Sequence, residues 1–339
     1  TLTIFQEQVW TCCHPPPSAY HRRGSQLWPE WTKEIVQGRS MRGNVWGQSA
    51  PFLAAGDLVV VVAPSSGVDL DRVARGVEIV REWGLKVEIH PNVSAKTGYL
   101  AGSDEARAGA LLEVLSDARV RCVWAARGGY GAVRLLNRMR KRKPERPSPV
   151  AVVGFSDVSL LTARLYLDYG FPTLHAANMT TLPLLDTDSL ARTRAALMSP
   201  FEPIQYSGLK VVHRGTEVGW LLPMNWATLN SVLGTPFAPP LEGAVLLLED
   251  VNEVPYRLDR MLIQLAYSHG FEKLSGLVFG DLDGAESDPT LLATIRQVAD
   301  TFSLPCCMGM PFGHGAHNVP LRVGASVILS AEEGVLAIS

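Results

Sequence analysis

The sequence lacks any long hydrophobic run and any large excess of charge of one sign. No apolar stretch approaches the roughly 18 residues that cross a bilayer, and one of the longest, "LVVVVA" at 58–63, has the length of a strand. The net charge of −2 over 339 residues argues against binding to nucleic acid or anionic lipid through bulk electrostatics. We therefore expect neither a membrane nor a nucleic acid as a partner.

Cysteine is scarce, and its spacing fits neither of its usual structural roles. The five cysteines form two adjacent pairs, Cys12 with Cys13 and Cys306 with Cys307, and one singleton, Cys122. This spacing matches neither a zinc site nor the disulfide framework of a secreted domain. It indicates reduced thiols and predicts a cytoplasmic protein.

The first 50 residues lack both the helical and the strand period. Proline, arginine and tryptophan are scattered through "CCHPPPSAYHRRGSQLWPEW", which has no apolar core of the kind found in signal peptides. The sequence predicts a poorly structured N-terminal extension over 1–50. The basic run "NRMRKRKPERPSP" at 137–149 is interrupted by prolines and is typical of a solvated loop.

From Gly56 onward, strand-like and helix-like segments alternate with short connections. The apolar strand candidates are "LVVVVA", "LKVEIH", "RCVWAA", "VAVVG" and "FPTLHA", and an amphipathic helical pattern follows each of the first four. This order predicts a parallel sheet covered on both faces, an α/β fold. After about Thr180 the pattern mixes short strands with helices, which predicts one domain over 51–180 and a second over 181–339.

Three of the predicted strands end in turns that contain glycine together with serine or charged residues: "PSSG", "RGGYG" and "GFSD". Ligands of parallel sheets bind at the carboxyl ends of strands. A serine on such a turn can be presented as a nucleophile, with backbone N–H groups beside it. The alternative is that Ser156 or Asp157 only caps the following helix.

A serine nucleophile needs a base and a carboxylate that orients the base. Glu249 in "LLLEDVNE" and His314 in "PFGHGAHN" supply one of each. Alternatives remain open: Glu249 could pair with Arg257 or Arg260, Asp250 competes for its role, and His317 is a rival base. The glycines of "ARGGYG" form either an anion-binding nest or a tight turn, and they do not match a dinucleotide motif.

Four ordered motifs carry a resemblance to a known family: "RGGYGAVRLL", "VVGFSDVSLL", "LLLEDVNEVPYRLDRMLIQL" and "PFGHG". Together they resemble the LD-carboxypeptidase family of serine peptidases, whose members include muramoyltetrapeptide carboxypeptidases and whose relatives include microcin-immunity peptidases. The resemblance covers about 54–339. It implies a flavodoxin-like N-terminal domain, a smaller, mostly β C-terminal domain, and a homodimer.

The resemblance also implies roles for individual residues. The nucleophile falls on Ser156, the carboxylate on Glu249 and the histidine on His314, and the oxyanion donors would be backbone N–H groups of Asp157 and of Gly128 or Gly129. Substrate contacts are expected from three further residues, namely Arg127, Tyr130 and Asn225. Arg127 could bind the free carboxylate of the substrate or could be structural. No metal or organic cofactor is implied.

The implied reaction is hydrolysis of the L,D peptide bond before a terminal D-alanine of a murein tetrapeptide, through an acyl-enzyme. Two segments depart from the usual family pattern: "HAANM" replaces a Gly-Pro-Met turn, and "LPMNW" keeps only Asn225 of a Gly-Gly-Asn turn. We expect Pro223 and Trp226 to narrow or reshape a pocket that glycines leave open. These departures motivate an alternative, a microcin-immunity-like peptidase or amidase acting on aminoacyl or peptidyl nucleotide conjugates. A third hypothesis is a non-catalytic binding module.

Overall fold

The computed structural model of the protein describes residues 52–142, 144 and 150–339. The predicted extension over 1–50, with Cys12 and Cys13, lies outside the described residues. Most of the basic segment between 143 and 149 lies outside them as well. In the described part of the chain, no helix is long and apolar enough to span a membrane.

The first sheet has six strands in the order β12-β5-β4-β3-β1-β2. Its first five strands in chain order are mutually parallel, as the alternating pattern predicts. The sixth is a two-residue strand from near the C-terminus that pairs antiparallel with β5. The strands are β1 (Leu58–Val62), β2 (Lys86–Ile89), β3 (Val120–Ala125), β4 (Ala151–Gly154), β5 (Thr173–His175) and β12 (Leu321–Arg322).

Helices follow the first four strands of this sheet, as the sequence predicts. The side chain of Asp69 caps the first helix and the side chain of Ser103 caps the second, each accepting hydrogen bonds from backbone N–H groups of the first turn. The fourth helix ends at Gly170, whose φ of 71° is a left-handed conformation suited to glycine. The helices are α1 (Leu70–Glu82), α2 (Asp104–Ser116), α3 (Val133–Lys141) and α4 (Val158–Tyr169).

The alternation of side chains along the strands explains why both faces of the sheet are buried. Val59 and Val61 share one apolar cluster with Val77 of α1. Val60 shares another cluster with Leu111 of α2, and that cluster also contains Leu161 of α4. The predicted parallel sheet covered on both faces is therefore confirmed.

The second sheet is mixed and has eight strands in the order β6-β14-β13-β8-β9-β10-β11-β7. Strands β8 to β11 are parallel neighbours, and the remaining pairs are antiparallel. The strands are β6 (Ile204–Tyr206), β7 (Lys210–His213), β8 (Thr216–Asn225), β9 (Ala244–Glu249), β10 (Gly276–Phe279), β11 (Cys306–Met308), β13 (Ser326–Ser330) and β14 (Val335–Ile338).

Four helices accompany the second half of the chain: α5 (Thr187–Met198), α6 (Trp226–Asn230), α7 (Pro255–Ala266) and α8 (Pro289–Thr301). Helix α4 joins the two sheets, because its Leu165 shares one apolar cluster with Leu222 of β8 and Leu246 of β9. The carboxyl ends of β4, in the first sheet, and of β9, in the second, lead into one cavity.

Candidate active site

Ser156 lies on a tight turn between β4 and α4. Its φ of 61° is in the left-handed region, which costs a residue with a side chain about 1–2 kcal/mol. The turn also requires Gly154, because a Cβ there would come within 2.6 Å of Val158 Cγ1. A strained strand-to-helix turn of this kind raises a side chain above the end of the sheet.

The helix-cap alternative is wrong for the carboxylate of Asp157. Asp157 occupies the N-cap position of α4, yet its backbone is already helical and its side chain makes no capping hydrogen bond. The carboxylate instead accepts hydrogen bonds from Ser65 Oγ at 2.6 Å and from the Ala132 backbone N–H at 2.8 Å. Its role is to join neighbouring loops.

Glu249 and His314 meet although they belong to different parts of the second half of the chain. Glu249 is the last residue of β9 and is fully buried. Its Oε2 lies 2.6 Å from Nδ1 of His314, which lies in the loop after β11. Because Nδ1 faces the carboxylate, Nε2 is the ring nitrogen left for proton transfer.

The structure assigns other partners to Arg257, the alternative partner of Glu249, and to Asp250, the rival carboxylate. Arg257 pairs with Glu253 rather than with Glu249. Asp250 Oδ2 accepts from the backbone N–H of Ala227 at 2.8 Å.

The charges around His314 and Glu249 favour the protonated form of the imidazole. Burial lowers the pKa of His314, whereas the negative charge and hydrogen bond of Glu249 raise it, and the pKa lies above its ordinary value. Asp250 and Asp281 add to this effect. Burial, followed by the charge of Glu249, raises the pKa of Asp250 to about 6.

Ser156 and His314 line one cavity with a volume of about 770 Å³. The ring of Phe155, the residue before the serine, packs against the His314 ring with 4.7 Å between centroids. Within the described residues, no hydrogen bond joins Ser156 Oγ to the imidazole, whose hydrogen bond is to Glu249. Catalytic hydrogen bonds are often long before substrate binds.

The glycine turn after β3 lies directly against the serine. A Cβ on Gly128 would come within 2.8 Å of Ser156 Cβ, so only glycine allows this approach. Gly129 has a φ of 100°. Among the described residues, the backbone N–H groups of Gly128, Gly129 and Asp157 donate to no protein acceptor. They are therefore available to an oxyanion.

The three expected substrate-binding residues all line the cavity. Arg127 is exposed and donates to the Gly67 carbonyl at 2.9 Å. Tyr130 is 46% exposed. The side-chain amide of Asn225 donates to carboxylate oxygens of Glu249 and Asp250, each at 3.3 Å. Asn225 thus binds both Glu249 and Asp250 as well as lining the cavity.

The rival base lies elsewhere. The side chain of His317 is 79% exposed and pairs with Asp186, and His317 is not among the residues that line the cavity. The pair anchors the histidine loop to the start of α5. Asn318 strengthens this anchor, because its backbone N–H donates to Ser189 Oγ at 3.1 Å.

The expectation that Pro223 and Trp226 narrow or reshape the pocket finds no support in the cavity lining. Neither lines the cavity, and Trp226 is fully buried against Phe279, with ring centroids 5.3 Å apart. Sequence reasoning did not single out Asn178, which lines the cavity and whose Oδ1 accepts from the Phe155 backbone N–H at 3.3 Å. Its signal was its position in the unusual "HAANM" segment.

Sequence reasoning also missed His175, the last residue of β5, which is completely buried. Its ring lies between Phe155 and Phe312, with centroid distances of 6.0 and 5.8 Å. Burial, followed by the charge of His314, lowers the pKa of His175 to about 3. His175 is therefore neutral near neutral pH and packs between the segments that carry Ser156 and His314.

The fold and the cavity define an α/β protein with a serine, a histidine and a glutamate at the junction of two sheets. Comparison with known proteins gives the family. Residues 59–176 match the LD-carboxypeptidase N-terminal domain, and residues 218–329 match the LD-carboxypeptidase C-terminal domain. The chain belongs to the LD-carboxypeptidase family.

Individual proteins agree with this assignment. The murein tetrapeptide carboxypeptidase of Pseudomonas aeruginosa is 29% identical over 80% of this chain and 92% of its own length. The crystal structure of muramoyltetrapeptide carboxypeptidase from Oxalobacter formigenes is 27% identical, with a TM-score of 0.72 over 83% of this chain and 98% of its own. An MccF-like protein from Bacillus anthracis shares the fold, with a TM-score of 0.75 and 21% identity over 86% of this chain and 98% of its own.

Proposed function

We propose that this protein is a serine carboxypeptidase that hydrolyses the L,D peptide bond before the terminal D-alanine of murein tetrapeptides. In this proposal Ser156 is the nucleophile, His314 is the general base and acid, and Glu249 orients the imidazole. One observation carries the proposal: His314, which is hydrogen-bonded to Glu249, lines the same cavity as Ser156, which lies on a strained turn. The names of the two carboxypeptidase relatives support the substrate class.

Acylation follows from the positions of these groups. His314 Nε2 takes the proton of Ser156 as the hydroxyl oxygen attacks the carbonyl carbon. Glu249 stabilises the imidazolium that forms. The N–H groups of Gly128, Gly129 and Asp157 bind the negative oxygen of the tetrahedral intermediate, and one such donor typically contributes about 3 kcal/mol. The C–N bond then breaks, and His314 gives its proton to the leaving D-alanine amine.

Deacylation repeats the same steps with water. His314 removes a proton from water, the hydroxide attacks the ester carbonyl, and the C–O bond to Ser156 breaks as the serine regains a proton. In this proposal Arg127, which lines the cavity, binds the free carboxylate of the leaving D-alanine.

The test is release of D-alanine from a UDP-MurNAc-tetrapeptide by purified protein, measured with D-amino-acid oxidase. Wild-type protein should release D-alanine, and Ser156→Ala should not. A matched control is Ser231→Ala, since Ser231 lines the same cavity and its hydroxyl donates to the Thr228 carbonyl at 2.7 Å. Undiminished release by Ser156→Ala would refute the assignment.

A second candidate keeps the chemistry and changes the substrate. The shared fold with microcin self-immunity protein MccF, solved with aspartyl sulfamoyl adenosine, favours a peptidase or amidase that acts on aminoacyl nucleotide conjugates. Parallel turnover of murein tetrapeptides and aminoacyl-sulfamoyl adenylates separates the two. Faster turnover of the adenylates would replace the leading proposal.

We also propose that the protein is cytoplasmic and works as a homodimer. Cys122, Cys306 and Cys307 are buried free thiols, which suits a reducing compartment, and the family resemblance implies the dimer. Cell fractionation and light scattering on the purified protein test these points.

We further propose the division into domains over 51–180 and 181–339, which the two matched family segments, 59–176 and 218–329, support. Limited proteolysis with mass spectrometry should cut in the stretch between these two matched segments. A first cut inside either matched segment would contradict the division.

A further inference from the structure

We propose that the side chain of Asp157 is a positioning residue that holds the glycine turn of the oxyanion site at the correct distance from Ser156. This inference rests on the proposed function. It concerns the carboxylate of Asp157, which is separate from the backbone N–H of the same residue.

The carboxylate joins three loops that end three neighbouring strands. It is fixed to the nucleophile turn because Asp157 follows Ser156 directly. Its Oδ2 accepts from Ser65 Oγ, in the loop after β1, at 2.6 Å and from the Ala132 N–H, in the loop after β3, at 2.8 Å. The loop after β3 also carries Gly128 and Gly129.

The loops after β1 and β3 are themselves tied together. The Ser66 N–H donates to the Gly128 carbonyl at 3.3 Å, and the Tyr130 N–H donates to Ser66 Oγ at 3.0 Å. A Cβ on Gly129 would collide with the Ser66 side chain. Movement of Ser65 and Ser66 would therefore carry the glycine turn with it.

Arg107 braces the same two loops from the other side. Its fully buried guanidinium donates to the Pro64 carbonyl and, at 2.9 Å, to the Gly131 carbonyl. Asp104 accepts from it at 2.5 Å. Asp157 links this frame to the serine, whereas Arg107, among the described residues, donates to the loops after β1 and β3 and not to the nucleophile turn.

Asp157 accepts these bonds in a dry environment. It is 5% exposed, and burial raises its pKa, although the hydrogen bonds from Ser65 and Ala132 act in the opposite direction. Burying a carboxylate is costly unless hydrogen bonds compensate it, and here the hydrogen bonds that do so fix two loops. Its benefit here is the position of the oxyanion donors, because a misplacement of about 1 Å can cost ~10²-fold in rate.

The test compares Asp157→Ala, Asp157→Asn and Ser65→Ala with wild type. The readouts are kcat and KM for D-alanine release from a murein tetrapeptide, normalised to folded protein, and the rate at which a fluorophosphonate labels Ser156. Asp168→Asn is the matched control, because Asp168 lies at the far end of the same helix and pairs with Arg164.

We expect kcat of Asp157→Ala to fall about 10²-fold with KM nearly unchanged, since the misplaced donors act on the transition state. Asp157→Asn should lie between Ala and wild type, because an amide oxygen can still accept. Ser65→Ala should show a smaller loss of kcat and serves if Asp157→Ala fails to fold. Labelling rates should fall in the same order, while the control matches wild type.

Unchanged kcat in Asp157→Ala and Ser65→Ala, or an effect on KM alone, would overturn the inference. A loss in Asp157→Asn as large as in Asp157→Ala would also contradict a hydrogen-bond tether. If wild type releases no D-alanine, the proposed function fails, whereas the labelling rates still decide the role of Asp157.

Discussion

Nδ1 of His314 and Oε2 of Glu249 lie 2.6 Å apart, although 65 residues separate them in the chain. The contact forms because β9 places Glu249 at its buried end and the loop after β11 returns past it. A base held by a buried carboxylate has a fixed ring orientation and an altered pKa. Both properties can be measured.

Glu249→Gln should lower the rate and move the pH profile. A general base must be neutral to act, so activity falls as pH drops through the pKa of His314. The charge of Glu249 raises that pKa, and its removal lowers the pKa because only Asp250 and Asp281 then oppose the effect of burial. We expect kcat to fall roughly 10²- to 10⁴-fold and the acid limb of kcat/KM to shift to lower pH.

The matched control for this variant is Glu242→Gln, at an exposed residue that pairs with Lys273. An acid limb that stays in place in Glu249→Gln would contradict the assigned pairing.

The left-handed backbone at position 156 should make two inactive variants, Ser156→Ala and Ser156→Gly, differ in stability. Both Ser156→Ala and Ser156→Gly lack the hydroxyl, but only glycine adopts a φ of 61° without strain. We expect the free energy of unfolding of the Gly variant to exceed that of the Ala variant by about 1 kcal/mol, measured by urea denaturation. Equal stabilities, or a more stable Ala variant, would show that the turn is not strained.

His175 should make the protein sensitive to acid. Its pKa in the folded state is about 3, below the unfolded value near 6.5. Between these values the unfolded state binds one more proton, so stability falls as pH falls. The contribution of this group approaches about 1.4 kcal/mol per pH unit.

His175→Leu should therefore show a shallower loss of stability between pH 6.5 and about 3 than wild type, measured by urea denaturation at several pH values. His269→Gln, at an exposed histidine, should keep the wild-type slope. A His175→Leu slope equal to that of wild type would mean that His175 is protonated in the folded protein.

The position of Arg127 on the cavity wall predicts selectivity for a free carboxylate. Arg127→Ala should raise KM about 10- to 100-fold, the loss expected for one charge-assisted hydrogen bond. It should also remove discrimination against a peptide ending in D-alanine amide. Arg119→Ala, at an exposed arginine that pairs with Asp117, should match wild type. An unchanged KM in Arg127→Ala would assign Arg127 to the structural role of holding the Gly67 carbonyl.

Local chemistry was enough to predict much of the first sheet. Strand-length apolar runs and amphipathic helical patterns act within a few neighbours along the chain, and the structure confirms the strands and helices that they predict. Motif spacing likewise brought Ser156, Glu249 and His314 forward as candidates, and the structure places all three at one cavity or directly behind it.

Features that depend on contacts between distant parts of the chain could not be predicted from the sequence. Strand β12 has two residues and joins β5 only because the C-terminal half packs there. The left-handed φ of Ser156 leaves no sequence signal, since serine does not favour it. Trp226 was misplaced because its burial against Phe279 is a tertiary contact, and the same holds for the contact between Asp157 and Ser65.

The most direct test of the account is rapid-quench mass spectrometry during turnover of a murein tetrapeptide. We predict an ester on Ser156 with the mass of the substrate less D-alanine, formed as D-alanine appears and absent from Ser156→Ala. Release of D-alanine with no covalent adduct, or with the adduct on another residue, would contradict the claim that Ser156 attacks while His314 and Glu249 activate it.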